Sequence, residues 1–386
     1  MLLQNKTIAI VGGGPGGLTL ARLLQMKDVH VNVYERDFDK NARVQGSPLD
    51  LHDESGLAAL REANLLEAFK KHYRPGADKM IVMDETATIR YSDHETISIE
   101  DFGSEHFRPE IDRGPLRNML LESLNENTVI WNRHFLSMEK QEDGWLLHFK
   151  NTESVYADIV IAADGANSKI RPYITDFKAF YSGILMLEGN IYDSEKSASK
   201  MHALINGGKI MAFGNNKNIL MGQKGNGELG FYASFKATEN WAATSGLDFT
   251  NKVQILHWFK KEYAEWSSIW GELFETAESL FIPRPIYCIP FNQHWESLPN
   301  LTMLGDAAHV MPPFAGEGVN MAMLDALELS ICLTSNTYPA VKDAIETYEI
   351  AMRKRAATIA KESIENGERM HCKDAINIML DFFSNH

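Results

Sequence analysis

The chain has 386 residues, 44% of them hydrophobic and 23% charged, a balance that excludes a disordered, collagenous or coiled-coil protein and points to two globular domains. Its formal net charge of -14 repels phosphate backbones and argues against a nucleic-acid partner. The three cysteines, Cys288, Cys332 and Cys372, are far apart; they show neither metal spacing nor a disulfide framework, which fits a reducing compartment.

The first residues, MLLQNK, lead straight into an apolar strand without the secretory order of charged region, apolar stretch and cleavage site. No apolar run reaches the roughly 18–20 residues of a spanning helix. A cytoplasmic protein without membrane contact is therefore expected. Residues 7–11 (TIAIV) form a strand that enters Gly12-Gly13-Gly14-Pro15-Gly16-Gly17. A helix over 18–26 and a strand over 29–34 complete a βαβ unit with the glycines at its strand-to-helix turn. Residues 54–71 carry apolar positions spaced for one helix face, and 80–83 and 87–91 read as two strands. A helix follows over 113–124, a strand near 128–131, a hairpin around 135–150, and a buried strand over 157–163 that stops at Asp164-Gly165. Between 176 and 280 the chain changes to short alternating strands with Gly/Asn turns, as in a mixed β-sheet. Residues 301–304 read as another core strand before Gly305-Asp306, and 340–370 have helical spacing.

The pattern predicts an α/β protein with a Rossmann-like nucleotide-binding domain, a second mixed β-sheet domain and a long C-terminal helix. The first domain is expected to be discontinuous, over 1–75, 104–175 and 284–335. The second comprises 76–103 and 176–283, and 338–386 form a C-terminal helical segment.

The chemistry begins at Gly12, Gly14 and Gly17, a G-x-G-x-x-G pattern. Gly12 permits the tight turn, Gly14 lets backbone N–H groups approach a pyrophosphate, and Gly17 lets helix and strand pack closely, with Pro15 opening the helix. Glu35 ends the second strand 18 residues after Gly17, where a carboxylate accepts ribose hydroxyls. The fingerprint occurs once; Gly225-Asn226-Gly227 lacks a following helix and reads as a turn. One dinucleotide is thus held tightly, and any second nucleotide binds elsewhere.

Asp164-Gly165 and Gly305-Asp306-Ala307-Ala308-His309, followed by MPPFAGEGVN, add two further elements. In this order the three resemble the single-component (class A) flavoprotein monooxygenases typified by aromatic hydroxylases. The stretches LLQ…VYERD, LDLH, EIDRGPLR, NTVIW and GDAAHVMPPFAGEGVN extend the resemblance over nearly the full chain, to the tetracycline-inactivating FAD-dependent monooxygenases. The resemblance implies FAD as cofactor, with NADPH or NADH as transient reductant and dioxygen as co-substrate. It assigns Glu35, Arg36 and Arg43 to the cofactor, the first two at its adenosine end. Arg113, Arg117 and Asp164 lie along it, and Asp50 of the Leu49-Asp50 pair lies near the flavin. Asp306 of the Gly305-Asp306 pair meets the FAD ribityl or pyrophosphate region, and Pro313, Gly316, Gly318, Val319 and Asn320 form the turn and helix start aimed at the ring. A helix N-terminus there would stabilise negative charge on a reduced ring.

The substrate side departs from that family. Where the tetracycline enzymes place a glutamine, an arginine and a histidine, this chain has Glu188, Lys209 and Gly230. Each exchange loses polar contacts worth about 1–3 kcal/mol, which argues against tetracycline itself. An electron-rich phenol or enol is the expected substrate class, tetracycline-like molecules among the candidates. Met186, Met211, Phe213, Met221 and Phe231 are candidate apolar liners, with Phe314 beside the flavin turn and Met370 closing the pocket from the long helix. His309 is expected to pack or to hydrogen-bond within its turn. No metal site is expected, and no side chain is assigned as an obligatory acid or base, since the cofactor carries the chemistry. Two alternatives stay open: a reductase or oxidase on the same scaffold, and a flavin-holding protein that sequesters a ligand. A monomer is expected. No Trp-x-Trp-x-Ile-Pro element of flavin halogenases is present.

Overall fold

The computed structural model describes residues 2–42, 48–96, 101–104, 106–278 and 280–384. Strand β1 (Ile8–Val11) passes through the glycines into α1 (Pro15–Gln25), and β2 (Val31–Tyr34) follows. After β3 (Leu49–Asp50) comes a π-helical turn (Asp53–Leu57), then α2 (Ala58–Glu62) and α3 (Leu66–Phe69). The single helix expected over 54–71 is thus broken, because Asn64 adopts a left-handed φ of 56° that ends α2. Strands β4 (Met80–Asp84), β5 (Ile89–Ser92) and β6 (Glu110–Ile111) precede α4 (Arg113–Glu122). Strand β7 (Val129–Ile130) leads to the meander β8 (Phe135–Gln141), β9 (Gly144–Phe149) and β10 (Val155–Ala157), then β11 (Ile159–Ala162).

The second module begins with β12 (Phe180–Ile191), α5 (Ser194–Ser197) and α6 (Ser199–Ile205). It continues with β13 (Lys209–Gly214), β14 (Lys217–Gln223), β15 (Leu229–Lys236), α7 (Trp241–Thr244), α8 (Lys252–Glu262), α9 (Gly271–Thr276) and β16 (Ile282–Cys288). The chain then returns with β17 (Leu301–Met303), α10 (Asp306–His309), α11 (Gly318–Thr334), α12 (Val341–Met370) and α13 (Ala375–Ser384).

Five strands form a parallel sheet in the order β17-β11-β1-β2-β7. Every residue of β1 and β11 is buried, as expected of strands covered on both faces. Their carboxyl ends, which in such sheets face the ligand crevice, lead into Gly12, Glu35, Asp164 and Gly305. The three sequence motifs therefore meet at one edge.

Seven strands form the second sheet, in the order β16-β12-β15-β14-β13-β4-β5. Because β16 pairs antiparallel with β12, the return to the first module falls after Cys288, not at 284. One face of this sheet packs on a cluster that includes Phe259, Trp270 and Phe274. The other face meets Phe314, Met370 and the α13 residues Ile376, Met379 and Leu380. The 30-residue α12 is about 45 Å long at 1.5 Å per residue and contacts both modules.

Candidate active site

The dinucleotide loop is shaped by close approaches. Gly12 has a φ of +116°, and a Cβ there would lie 2.1 Å from the Ala163 carbonyl oxygen. A Cβ on Gly17 would lie 2.2 Å from the Gly12 oxygen, which is the close helix–strand packing that glycine allows. Gly14 differs: a Cβ there would meet nothing within 4 Å. It is the N-cap of α1, with no side-chain cap and no acidic residue in the first turn, and Pro15 is the first helical residue. The N–H groups of this helix start are thus left for an anion.

Glu35 is buried, and its Oε2 accepts from the Gly13 N–H at 2.6 Å while Oε1 accepts from the Asp37 N–H at 2.9 Å. Gly13 is a glycine because a Cβ would sit 2.9 Å from that carboxylate. The acid assigned to the ribose also braces the loop. Arg117 lies across it, donating to Gly13 O, Lys40 O and Asp37 Oδ2 (3.1 Å), with its guanidinium over Trp131. Arg36 is exposed. Arg43 lies outside the described residues. Asp164 folds into its own turn, where Oδ2 accepts from the Lys169 N–H at 2.9 Å.

At the other end, Asp306 opens α10 and faces Arg113 across the junction of the modules. Both side chains reach open space, yet burial is the main cause that raises the Asp306 pKa and lowers that of Arg113. They line a cleft with protein on most sides. Glu188 and Tyr232, from the second sheet, act on Arg113 from across it.

A buried ion network fixes the Gly305-Asp306 turn from below. Asp325, fully buried on α11, accepts from the Gly305 N–H (2.9 Å) and Arg355 Nη2 (2.8 Å), and pairs with His309 Nε2 (2.6 Å). His309 therefore reaches α11 rather than bonding within its own turn. Arg171 holds the far end of α10 by donating to the carbonyls of Ala307 and Ala308.

The 313–320 turn is held from two sides. Asn320 donates to Asp50 O (3.0 Å) and accepts from the His52 N–H (2.9 Å). His52 stands between Asp50 Oδ2 (3.1 Å) and Glu317 Oε1 (3.0 Å). Burial alone would lower its pKa, but the bonds to the two carboxylates outweigh this and push it up to about 9. Asp50 is held at about 2 against burial by His52 and Lys209. From α12, Ser363 donates to Pro312 O, and Asn366 to Phe314 O. Gly316 takes a left-handed φ of +71°, and a Cβ on Gly318, the first residue of α11, would meet nothing within 4 Å. Pro313 is exposed and Val319 half-buried.

On the second sheet, strand alternation sorts the candidate liners. Lys209, Met211 and Phe213 alternate with Ile210 and Ala212, and Met211 and Phe213 pack in one apolar cluster with Phe314 and Met370. Met186, Glu188 and Gly230 alternate with Leu187, Leu229 and Phe231, whose side chains face the other way. Met221 and Phe231 are not liners: they belong to the opposite cluster, where Phe231 packs against Phe274 and Phe281. Glu188 is paired with Arg284, and Lys209 with Glu110.

His371, just after α12, clamps this helix to the sheet. Its Nδ1 meets Gly367 O at 2.7 Å, so that nitrogen carries the proton. Nε2 then accepts from Ser234 Oγ (2.7 Å) and Asn218 Nδ2 (3.1 Å). Burial lowers its pKa to about 4, consistent with a neutral ring. A separate cleft of about 970 Å³, lined by Trp241, Trp258, Tyr263, Lys217 and Lys261 among others, contains none of the motif residues.

A family model described as FAD binding domain matches residues 5–202 and 297–363. The chain belongs to that family. Its relatives are monooxygenases, and so is this flavoprotein. Monooxygenase asqM of Emericella nidulans is 28% identical, over 100% of this chain and 99% of that one. The 3-amino-4-hydroxybenzoate 2-monooxygenase PtnB3 of Streptomyces platensis is 25% identical, over 96% and 90%. Among solved structures, a variant of HpxO from Klebsiella pneumoniae complexed with FAD superposes with a TM-score of 0.77 at 20% identity, covering 99% of this chain and 94% of that one. The tetracycline destructase Tet(51) gives 0.72 at 16% identity, covering 97% and 94%.

FAD fits the residues of this flavin monooxygenase. The starts of α1 and α11 both lie at the carboxyl edge of the parallel sheet. Each has a glycine whose missing Cβ opens onto unfilled space, and neither N-cap makes a side-chain cap bond. The two helices pack on each other through Gly16, where a Cβ would lie 2.9 Å from Ala322 O. Asp325, Arg355, His52 and Arg171 brace this flavoprotein's turns, Glu110 pairs with Lys209 between β6 and β13, and none of these five was among the sequence candidates.

Proposed function

We propose that this flavin monooxygenase uses NADPH or NADH and dioxygen to hydroxylate an electron-rich phenol or enol. The observation that carries the reading is the junction itself. The Lys209–Glu110 and Glu188–Arg284 pairs and Arg113 lie beside an apolar wall of Met211, Phe213 and Phe314, next to the 313–320 turn. A planar apolar molecule carrying one or two polar groups matches such a surface.

When bound, FAD would supply the passage of two electrons from the nicotinamide reductant to dioxygen, one oxygen atom of which goes to the substrate and the other to water. The α1 start would hold the pyrophosphate, and the α11 start, with Asn320 and Asp50 fixing its turn, would face the ring. Phe314, Met211 and the α13 side chains exclude water, which limits loss of activated oxygen to solvent. Arg113 and Lys209 orient polar groups of the substrate. The PtnB3 name, which specifies an aminohydroxybenzoate, supports a phenolic substrate here. The exchanges at Glu188, Lys209 and Gly230 weigh against tetracycline itself.

The test is a panel of simple phenols, hydroxybenzoates and tetracyclines added to FAD-loaded protein. One compound should stimulate NADPH or NADH oxidation, with label from ¹⁸O₂ entering its product. Reductant consumption with no labelled product from any compound would refute hydroxylation and favour a reductase or oxidase.

A further inference from the structure

Across the short β3–β6 pair, Asp50 is the register partner of Glu110. Like charges directly opposite each other repel, and Glu110 is only 2% exposed. Lys209, on the face of β13 that also carries Met211 and Phe213, is acted on by both carboxylates, and its Nζ donates to Glu110 Oε1. His52 stands on the other side of Asp50 and is shared with Glu317. Arg74 acts on Glu110, and Asp78 on Lys209, from the segment before β4. Along the chain Glu317–His52–Asp50–Glu110–Lys209, three carboxylates against two cations leave one excess negative charge. Such a cluster takes up a proton readily.

Geometry and environment single out the acceptor. Burial raises the Glu110 pKa to about 7, Asp50 adding to the rise and Lys209 and Arg74 opposing it. Asp50 and His52, at about 2 and about 9, keep their charges near neutrality. Lys209 is the member of the cluster on the apolar cleft wall with Met211 and Phe213.

Resting on the hydroxylation reading above, we infer that Lys209 and Glu110 form a proton relay that ionises the hydroxyl group of the substrate. Lys209 Nζ passes a proton to Glu110 Oε1 and takes the hydroxyl proton in its place. One substrate O–H bond and one lysine N–H bond break; one lysine N–H bond and one carboxyl O–H bond form; no electrons are transferred. The product of the step is a phenolate or enolate beside a lysine that is again cationic, with the proton stored on Glu110. Lys209 is the catalytic residue, and Glu110 acts through it. The relay narrows the substrate to molecules whose reacting ring or double bond bears an ionisable hydroxyl.

The test uses FAD-loaded protein and 4-cyanophenol at a pH where the free probe is largely un-ionised and Glu110 largely ionised. Ultraviolet difference spectra report phenolate formation, and an indicator dye in weak buffer counts protons released. The wild-type protein should ionise the bound probe with little proton release, because Glu110 keeps the proton. Glu110→Gln should still ionise it, beside an unpaired Lys209, but release about one proton per site to the buffer. Lys209→Met should bind the probe un-ionised and lower turnover of whichever phenol the panel yields as substrate by about 10²–10⁴-fold, the range of general acid–base contributions. A probe bound by the wild type with its hydroxyl intact, or full proton release from the wild type, overturns the relay even if Glu110→Gln fails to fold. Ionisation as expected without ¹⁸O in any product would instead overturn the hydroxylation reading and leave the relay standing.

Discussion

Gly14→Val separates the fold from the cofactor more cleanly than any other change in the loop. Gly14 has φ -80° and ψ 177°, which any residue adopts, and a Cβ there meets nothing within 4 Å. The substitution should cost the apoprotein about 1 kcal/mol or less, chiefly because valine is a poor N-cap. Its side chain would project into the space ahead of α1, where the proposed reading puts the pyrophosphate on the helix start. Hydrogen bonds to a charged group are worth about 1.5–3 kcal/mol each. Blocking two of them gives about 3–6 kcal/mol, or roughly a 10²–10⁴-fold loss of FAD affinity. Gly17→Ala is the contrasting control, since its Cβ would meet the Gly12 oxygen at 2.2 Å and should unfold the loop itself. Flavin-fluorescence titration of apoprotein, with thermal melting alongside, reads both effects. A Gly14→Val protein that melts normally and binds FAD with wild-type affinity would refute the placement of the pyrophosphate.

Asp325→Asn leaves His309 and Arg355 without their shared carboxylate in a fully buried site. It should cost about 3–5 kcal/mol, measured by denaturant unfolding, and weaken FAD through the Gly305 turn. His52 has its pKa raised from 6.5 to about 9. Its contribution is therefore fully present below about pH 6.5 and fades as pH rises towards 9. The total is about 3 kcal/mol by linkage, and melting curves across that window should flatten in His52→Ala. Glu110, raised to about 7, destabilises the fold as pH rises from about 4.5 to 7, so Glu110→Gln should remove that decline. Met221→Ala should cost about 2–5 kcal/mol as a cavity in the core behind the sheet with KM unchanged. Met211→Ala should alter KM for the substrate with less loss of stability; the reverse pattern would place the pocket on the wrong face.

Much of the cofactor end was legible because it rests on local rules. Gly12, Gly14 and Gly17 follow a fixed spacing at a strand-to-helix turn, and Gly305-Asp306 follows a short apolar strand. The braces were not legible. Arg355 and Glu349 look like solvated charges on a long helix, yet Arg355 reaches Asp325 across 30 residues. Glu349 is buried and accepts from Trp295, Ser297 and Thr302. Only tertiary packing brings such partners together. Met221 and Phe231 were misassigned because the second sheet is covered on both faces. Residues 217–223 carry apolar side chains at odd and even positions alike (Ile219, Leu220, Met221), and in 229–236 Leu229, Phe231, Ala233 and Phe235 share one face but alternation does not say which sheet face meets the cofactor module. The register with Lys209 could have sorted them, since Ile210 pairs with Met221, opposite in parity to Lys209.

The bonds made by α12 impose an order in time. Tyr348 holds Met303 O, Arg355 the Asp325 network, and Ser363 and Asn366 the carbonyls of Pro312 and Phe314, while His371 holds the second sheet. During synthesis, where chains fold from the N-terminal side first, residues 348–371 emerge after every element they secure. The glycine loop can form early, but the ring end of the site is completed only when this helix docks. The contacts that close this end of the molecule therefore wait for synthesis to pass residue 371.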